Sequence, residues 1–345
     1  MILLKRFIRR AINYIFRKLG YEQKRSLSWL ETLYAHDFNI MNAHMGCLHP
    51  EELNALLADL TLHAHGLEKG LTMTDFRAGF GRDRVLHLCD ALIQYQAKGL
   101  DTKAFGYIFA SKVLKEYIDI HQKLGFKFPI QEQKKMAQAS SLSTEIQTHQ
   151  PTMKKIEYFH HRKSNFELFS ASRHSIRQFA GAVPIDTIRK AVALAQNAPS
   201  ACNRQYSRVH LINGKENVNQ ILALQGGNSA LMDTADQVLV LTADMQALMW
   251  PEERRDLWHT AGIYSMNLSY ALHYYEIGHC MCAWSVCPDA DSRLHHLFDI
   301  PDNEAIVVLM LIGEVPESFT VASSPRKSWQ DVLVVHQANR FSTPS

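Results

Sequence analysis

"SRHSIRQF", residues 172–179, sets Arg173, His174, Ser175 and Arg177 almost side by side, and shortly afterwards "APSACNRQ", residues 198–205, gathers small and hydrogen-bonding side chains. A phosphate needs guanidinium forks, hydroxyls and backbone N–H groups converging at short range, and the first stretch offers all three. Two arginines and a serine also suit a solvated surface, so the first stretch does not decide the matter alone. The second adds a complementary feature: a loop of small residues lets a backbone approach a flat ring closely. It follows an amphipathic helix that starts at Pro184 and carries Ile185, Ile188, Val192 and Ala195.

Outward from these stretches, strands and helices alternate. Apolar, β-rich runs occur at 207–212 (SRVHLI), 237–243 (QVLVLTA), 280–286 (CMCAWSV) and 305–315 (AIVVLMLIGEV). Between the second and third lies a helix over 255–277 that is apolar nearly all round. Its small residues are Ala261, Gly262, Ser265 and Ser269, and Gly278 closes it as a C-terminal cap would. Such a helix is expected to be covered on every face, by its own chain or by a subunit interface.

With these residues in place, residues 165–335 resemble the nitroreductase family of FMN-dependent oxidoreductases. An R-x-S-x-R-x-F motif is matched by Arg173, Ser175, Arg177 and Phe179, and A-P-S-x-x-N-x-Q by Ala198, Pro199, Ser200, Asn203 and Gln205. The long helix leading to Gly278, Cys280 and Trp284, the strand closing at Gly313, and "SPRKSWQDV" with Arg326 and Lys327 follow in the family's order. The resemblance implies an α+β fold: a three-layer domain with a mainly antiparallel sheet flanked by helices, preceded by an all-helical domain. It implies FMN as cofactor, with Arg173, His174 and Ser175 at the ribityl phosphate, joined by Arg326 and Lys327. Arg177 is expected at the pyrimidine edge of the flavin. Pro199, Ser200 and Asn203 are expected to come from the partner subunit of a homodimer, and Gln205 completes the expected cofactor set.

The implied reaction is ping-pong hydride transfer between NAD(P)H, as co-substrate, and a small organic acceptor. The cofactor carries that chemistry, so no acid or base is nominated, and His259, His273 and His279 read as structural. Two departures stand out. Tyr206 occupies a place where many relatives have Pro-Trp, and the stretch between 213 and 236 leaves little material for a substrate lid. A competing reading is a non-catalytic fold relative acting as a partner or scaffold at a membrane surface; a third is a flavin site used for dehalogenation or flavin breakdown.

The amino-terminal half lies outside that resemblance. Residues 1–20 are spaced as a basic amphipathic helix, with Lys5, Arg6, Arg9, Arg10, Arg17 and Lys18 and no acid before Glu22, which suits peripheral contact with an anionic membrane face; a helix docked on the rest of the protein and a cleaved targeting segment are the alternatives. Residues 23–130 read as a helical domain, 131–164 as a polar connector whose composition also allows helix in part, and 165–345 as the FMN-binding domain, after a basic helix over 1–22. "HGLEKGLTMTDFRAGFGRDRV" (65–85) together with "LQGGNSAL" (224–231) resembles a subgroup found among polysaccharide-biosynthesis proteins. Within it His65 and Glu68 share a helix face, fit for a metal pair or an ion pair, with Lys69 alongside.

Composition bounds the rest. Forty-six per cent apolar residues and a net charge of +3 describe a globular chain without a basic stripe for nucleic acid. The six cysteines (47, 89, 202, 280, 282, 287) are scattered without a secretory signal, which points to reduced thiols in a cytoplasmic protein. Cys280 and Cys282 are expected on one face of a strand as buried thiols, and no metal ligand set is assigned. The histidine pairs 160–161 and 295–296 read as solvated.

Overall fold

Side chains that alternate between two buried faces build the sheet. Strands β2 (Ser207–Asn213), β3 (Gln237–Asp244), β4 (Gly278–Ala283) and β5 (Glu304–Gly313) pair in the order β2-β3-β5-β4, every neighbour antiparallel, with one register shift between β3 and β5 at Leu241/Thr242. Val238, Val240, Leu309, Leu311, Cys280 and Cys282 face one side, and Leu239, Leu241, Met310 and Ile312 the other, so each face has its own core. The expected strands are therefore present, with β4 starting two residues early, at Gly278, and ending before Trp284. That indole turns away and donates from Nε1 to Asp291 Oδ1 at 2.6 Å.

The computed structural model describes residues 21–73, 77–140, 150–227 and 234–336, with side chains from Ser26 onward. The basic segment 1–20, part of the expected connector and part of "LQGGNSAL" lie outside the described residues. The chain divides into two compact units: the chain up to Leu48 with Thr152–Val321, and His49–Pro151 with the chain from Ala322.

The first unit holds α1 (Tyr21–His44), a short β1 (Thr152–Lys154), α6 (Phe166–Ser172), α7 (Ile185–Ala195), α8 (Lys215–Gln225), α9 (Asp256–Tyr274), α10 (Pro288–Leu297) and β6 (Ser318–Thr320), besides the four-stranded sheet. Helices α7 and α9 cover one face of the sheet through Ile188, Tyr264, Leu268 and Leu272; α8 and α10 cover the other through Ile221, Leu222 and Leu294. The result is the expected three-layer α+β arrangement. The second unit contains α2 (Leu53–Leu71), α3 (Arg82–Ala97), α4 (Phe105–Lys123) and α5 (Ile130–Ser140) around Leu60, Leu67, Leu88, Leu92, Leu114 and Tyr117. Gly106 lets α4 close on α2, since a Cβ there would stand 2.8 Å from the Leu57 carbonyl oxygen.

Three boundaries differ from the sequence reading. Helix α1 belongs to the sheet-containing unit, tied there by Trp29 Nε1, which donates to Glu252 at 2.6 Å, and by Asp37, which accepts from Arg254 at 2.7 and 2.8 Å. The polar stretch after residue 130 forms α5, which needs only Met136 and Ala139 in the core because Lys135–Asp90 and Arg82–Glu132 ion pairs hold its outer side. The chain from Ala322 returns to the helical unit. There Gln150 Oε1 accepts from the Ser323 N–H at 2.7 Å, and Glu68 Oε1 from the Ser324 N–H at 2.7 Å.

Candidate cofactor site

Residues 173–181 run as an extended strip across one end of the sheet. Ile176 N–H donates to the His279 carbonyl at 2.9 Å, Ala180 N–H to Glu314 O at 2.8 Å, and Glu314 N–H returns a bond to Gly181 O at 2.9 Å. Just beyond, buried Gln237 clamps Val183: its Oε1 accepts from Val183 N–H at 2.7 Å and its Nε2 donates to Val183 O at 3.1 Å. Two glycines make room. A Cβ on Gly313 would meet the Phe179 side chain at 2.8 Å, and one on Gly278 would meet Val315 Cγ2 at 2.6 Å. Ile176 and Phe179 are thereby buried, and Arg173, His174, Ser175 and Arg177 are left half-buried along the strip.

Arg177 carries the clearest electrostatic signal. Its Nε is buried and, among the described residues, has no hydrogen-bond partner. A buried guanidinium N–H without an acceptor is costly, so the position suits a ligand that brings one.

Below the strip, two histidines form its floor. His279 donates from Nδ1 to Ile277 O (3.3 Å), which leaves Nε2 to accept from Ser269 Oγ at 2.6 Å. Ser172 Oγ donates to Phe169 O, so His273 Nε2 donates to that hydroxyl at 2.9 Å. Burial is the main reason both rings are pushed down to about 3, with the Arg173 charge adding to it and His279 adding to the effect on His273. Both are thus neutral structural groups, as the sequence reading expects. The unfolded chain binds these protons below about pH 6.5 while the folded chain refuses them down to about 3, so stability is complete above 6.5 and falls with acidification. Each ring contributes a slope of up to about 1.4 kcal/mol per pH unit in that window. Urea unfolding at about pH 7 and about pH 5 is expected to show the drop, and a His279→Asn protein a shallower one; an unchanged slope refutes this origin.

The second cluster has a strained backbone. Cys202, Asn203 and Gln205 all adopt positive φ (51°, 55° and 50°) around a short 3-10 turn over Ala201–Asn203. Such conformations persist only where surroundings over-determine them, and they favour functional loops. Ser200 Oγ accepts from the Gln205 N–H at 3.0 Å, and Gln205 Nε2 donates to Asn203 O and Oδ1 at 3.2 and 3.1 Å. Pro199, Asn203 and Gln205 are exposed. What fixes the loop is Arg204, whose two Nη atoms each donate to Glu253 at 2.8 Å, with Nη1 also donating to Ala247 O at 2.7 Å. Arg204 carries no local signal in the sequence, because its acceptors Ala247 and Glu253 come from far along the chain.

The two clusters occupy opposite ends of the sheet. The strip crosses where β4 begins and β5 ends, whereas the 198–205 loop enters β2 at Ser207, which pairs with Ala243 near the end of β3. A seven-residue strand spans about 20 Å. Arg173, Ser175 and Arg177 are therefore together, Ser200, Asn203 and Gln205 are together, and one copy of the chain keeps the groups apart. Arg326 and Lys327 lie in the helical unit, exposed, with Arg326 Nη1 donating to Ser324 O.

Residues 171–314 match the model of the nitroreductase family. This segment is a nitroreductase-family domain. The helical unit lies outside that match. Similar solved structures include a nitroreductase-like protein from Streptococcus mutans, 19% identical over 50% of this chain and 98% of that one, with a TM-score of 0.43. An FMN-dependent nitroreductase from Clostridium difficile is 18% identical over 50% of this chain and 98% of its own, with a TM-score of 0.41. No curated protein matches the chain.

The nitroreductase-family domain stops short of Glu68, yet that residue also has a defined task. Its carboxylate is buried; Oε1 accepts from Ser324 N–H at 2.7 Å, and Oε2 accepts from Ser324 Oγ at 3.3 Å and meets His65 Nδ1 at 2.8 Å. The pair is thus an anchor for the segment that bears Arg326 and Lys327. Glu68→Ala strands those donors and is expected to cost about 3 kcal/mol. Trypsin cleavage after Arg326 and Lys327 checks it: faster cleavage than in the parent is expected, and an equal rate contradicts the anchoring role.

Proposed function

We propose that the chain is an FMN-dependent oxidoreductase that moves hydride between NAD(P)H and a small organic acceptor, with its cofactor site completed by a second copy. The observation that carries this reading is the strip: two half-buried arginines flank Ser175, and the Arg177 Nε has no acceptor among the described residues. Those donors fit a phosphorylated, carbonyl-bearing ring system. FMN bound there would accept a hydride from the nicotinamide and deliver it to the acceptor in a ping-pong sequence.

The chain's own groups hold and tune. Arg173, His174 and Ser175 take the phosphate. Arg177 is a fixed cation at the pyrimidine edge, where it favours the more negative reduced state and so raises the reduction potential. The strained 198–205 loop offers backbone at close range from the partner copy. Two observations support that partner: the clusters sit at opposite ends of the sheet, and α9 exposes Trp258, Ile263 and Met266 along one stripe. The sequence expects α9 to be covered on every face; in one copy this stripe is open.

Among the described residues no helix is long and apolar enough to cross a membrane. Membrane contact through residues 1–20 rests on their basic, amphipathic spacing, and a link to polysaccharide precursors on the sequence resemblance. The test is anaerobic addition of NADH or NADPH to protein reconstituted with FMN. Bleaching of the yellow colour, reversed by an electron acceptor, is expected; a flavin that stays oxidised with both nucleotides refutes the reading and favours the scaffold.

A further inference from the structure

Helices α2 and α3 bring two imidazoles onto one carboxylate within the helical unit. Asp59 and His63 stand one turn apart on α2, and His87 projects from α3. His63 Nε2 lies 3.3 Å from Asp59 Oδ1, His87 Nε2 lies 2.8 Å from Asp59 Oδ2, and the two rings are 4.1 Å apart between centroids. One ligating atom from each residue falls within 4.8 Å of the others. We propose that Asp59, His63 and His87 form a binding site for a divalent transition-metal ion of the zinc type, joining α2 to α3.

The spacing suits the ion. With metal–ligand bonds of about 2.0–2.1 Å, tetrahedral ligands stand about 3.3 Å from each other; the His63–Asp59 pair is already at 3.3 Å, the His87–Asp59 pair at 2.8 Å has to open, and no pair of ligating atoms is wider than 4.8 Å, so side-chain rotation can close the set. Two imidazoles and one carboxylate select zinc or ferrous iron over calcium and magnesium, which prefer oxygen shells, and leave a coordination position for water. Half the His87 side chain is exposed (50%), which gives the ion an entry route. The ordinary alternative is a metal-free cluster in which both rings donate to Asp59.

Two features limit the strength of the site. His63 Nδ1 is buried and unpartnered among the described residues, so the outer hydrogen bond that usually orients a ligating imidazole is missing. Loss of such a bond typically weakens binding 10–100-fold. The nearby Arg84 also places positive charge beside His63, opposed by the Asp59 carboxylate. A dissociation constant on the order of micromolar is therefore expected.

The experiment is zinc titration of the full, tag-free chain after chelator treatment, read by competition with a chromophoric chelator. One zinc per chain is expected, weakened at least about tenfold by His87→Ala and by Asp59→Asn, and unchanged in a His160→Ala/His161→Ala protein. Circular dichroism confirms that each variant is folded. Cobalt(II) supplies a second readout, because ligand-field bands of a low-symmetry site should appear in the parent and vanish in His87→Ala. Absence of stoichiometric zinc binding, or binding indifferent to both His87→Ala and Asp59→Asn, overturns the proposal.

Discussion

Arg177→Ala is expected to lower FMN affinity by about 100-fold or more, leaving the purified protein colourless at flavin concentrations that saturate the parent. A hydrogen bond to a charged group is worth about 1.5–3 kcal/mol, and 2.7 kcal/mol is a factor of about 100 in a binding constant. The proposed contact is of that type. Removing Arg177 also removes an N–H that is already without a partner among the described residues, so the fold should lose little. Fluorescence quenching of added FMN measures the affinity, and a thermal melt of the flavin-free protein separates binding from folding. Arg177→Lys should recover part of the affinity, since it restores charge without the planar fork. An alanine variant that binds FMN as tightly as the parent removes Arg177 from the cofactor site.

Ile263→Arg is expected to have the larger effect. Ile263 is 38% exposed on the open stripe of α9, between Trp258 and Met266, while the opposite side of the helix packs on the sheet through Ala261, Tyr264 and Leu268. An arginine there disturbs no core. Placed opposite its own copy in a two-fold interface, it would meet a like charge in an apolar seam. Size-exclusion chromatography with light scattering should show a dimer for the parent and a monomer for the variant. Flavin binding should disappear with the dimer, because the loop residues of one copy are then withheld from the arginine strip of the other. A monomeric variant that still binds FMN at parental affinity separates the cofactor from the interface and contradicts the shared site.

Local signals in the sequence carried the sheet and both motif loops. The runs at 237–243 and 305–315 are apolar almost without interruption, which suits strands covered on both faces, and the structure has separate cores on each. The three-residue strands β1 and β6 had no such signal, being too short for a period of two to register. The polar run after residue 130 allowed helix without fixing its extent, because α5 is held by ion pairs with Arg82 and Asp90, contacts that leave no periodic trace.

The same distinction divides the site. Arg173, Ser175 and Arg177 were legible as a group because they lie on one stretch of chain. Arg204 was not, since its meaning comes from Glu253 and Ala247. The role of Glu68 was half visible: its spacing from His65 put both on one helix face, fit for a metal pair or an ion pair, but the partner that fixes its function, Ser324, lies 256 residues away. The Asp59–His63 spacing was readable as a helical pair, and only the packing of α3 adds His87.

Native mass spectrometry of the protein reconstituted with FMN bears most directly on the claim that two copies build one kind of site from opposite ends of their sheets. Two chains carrying two flavins are predicted, with both flavins leaving when the dimer is dissociated. A single chain that retains FMN, or a dimer that never acquires it, would contradict the account.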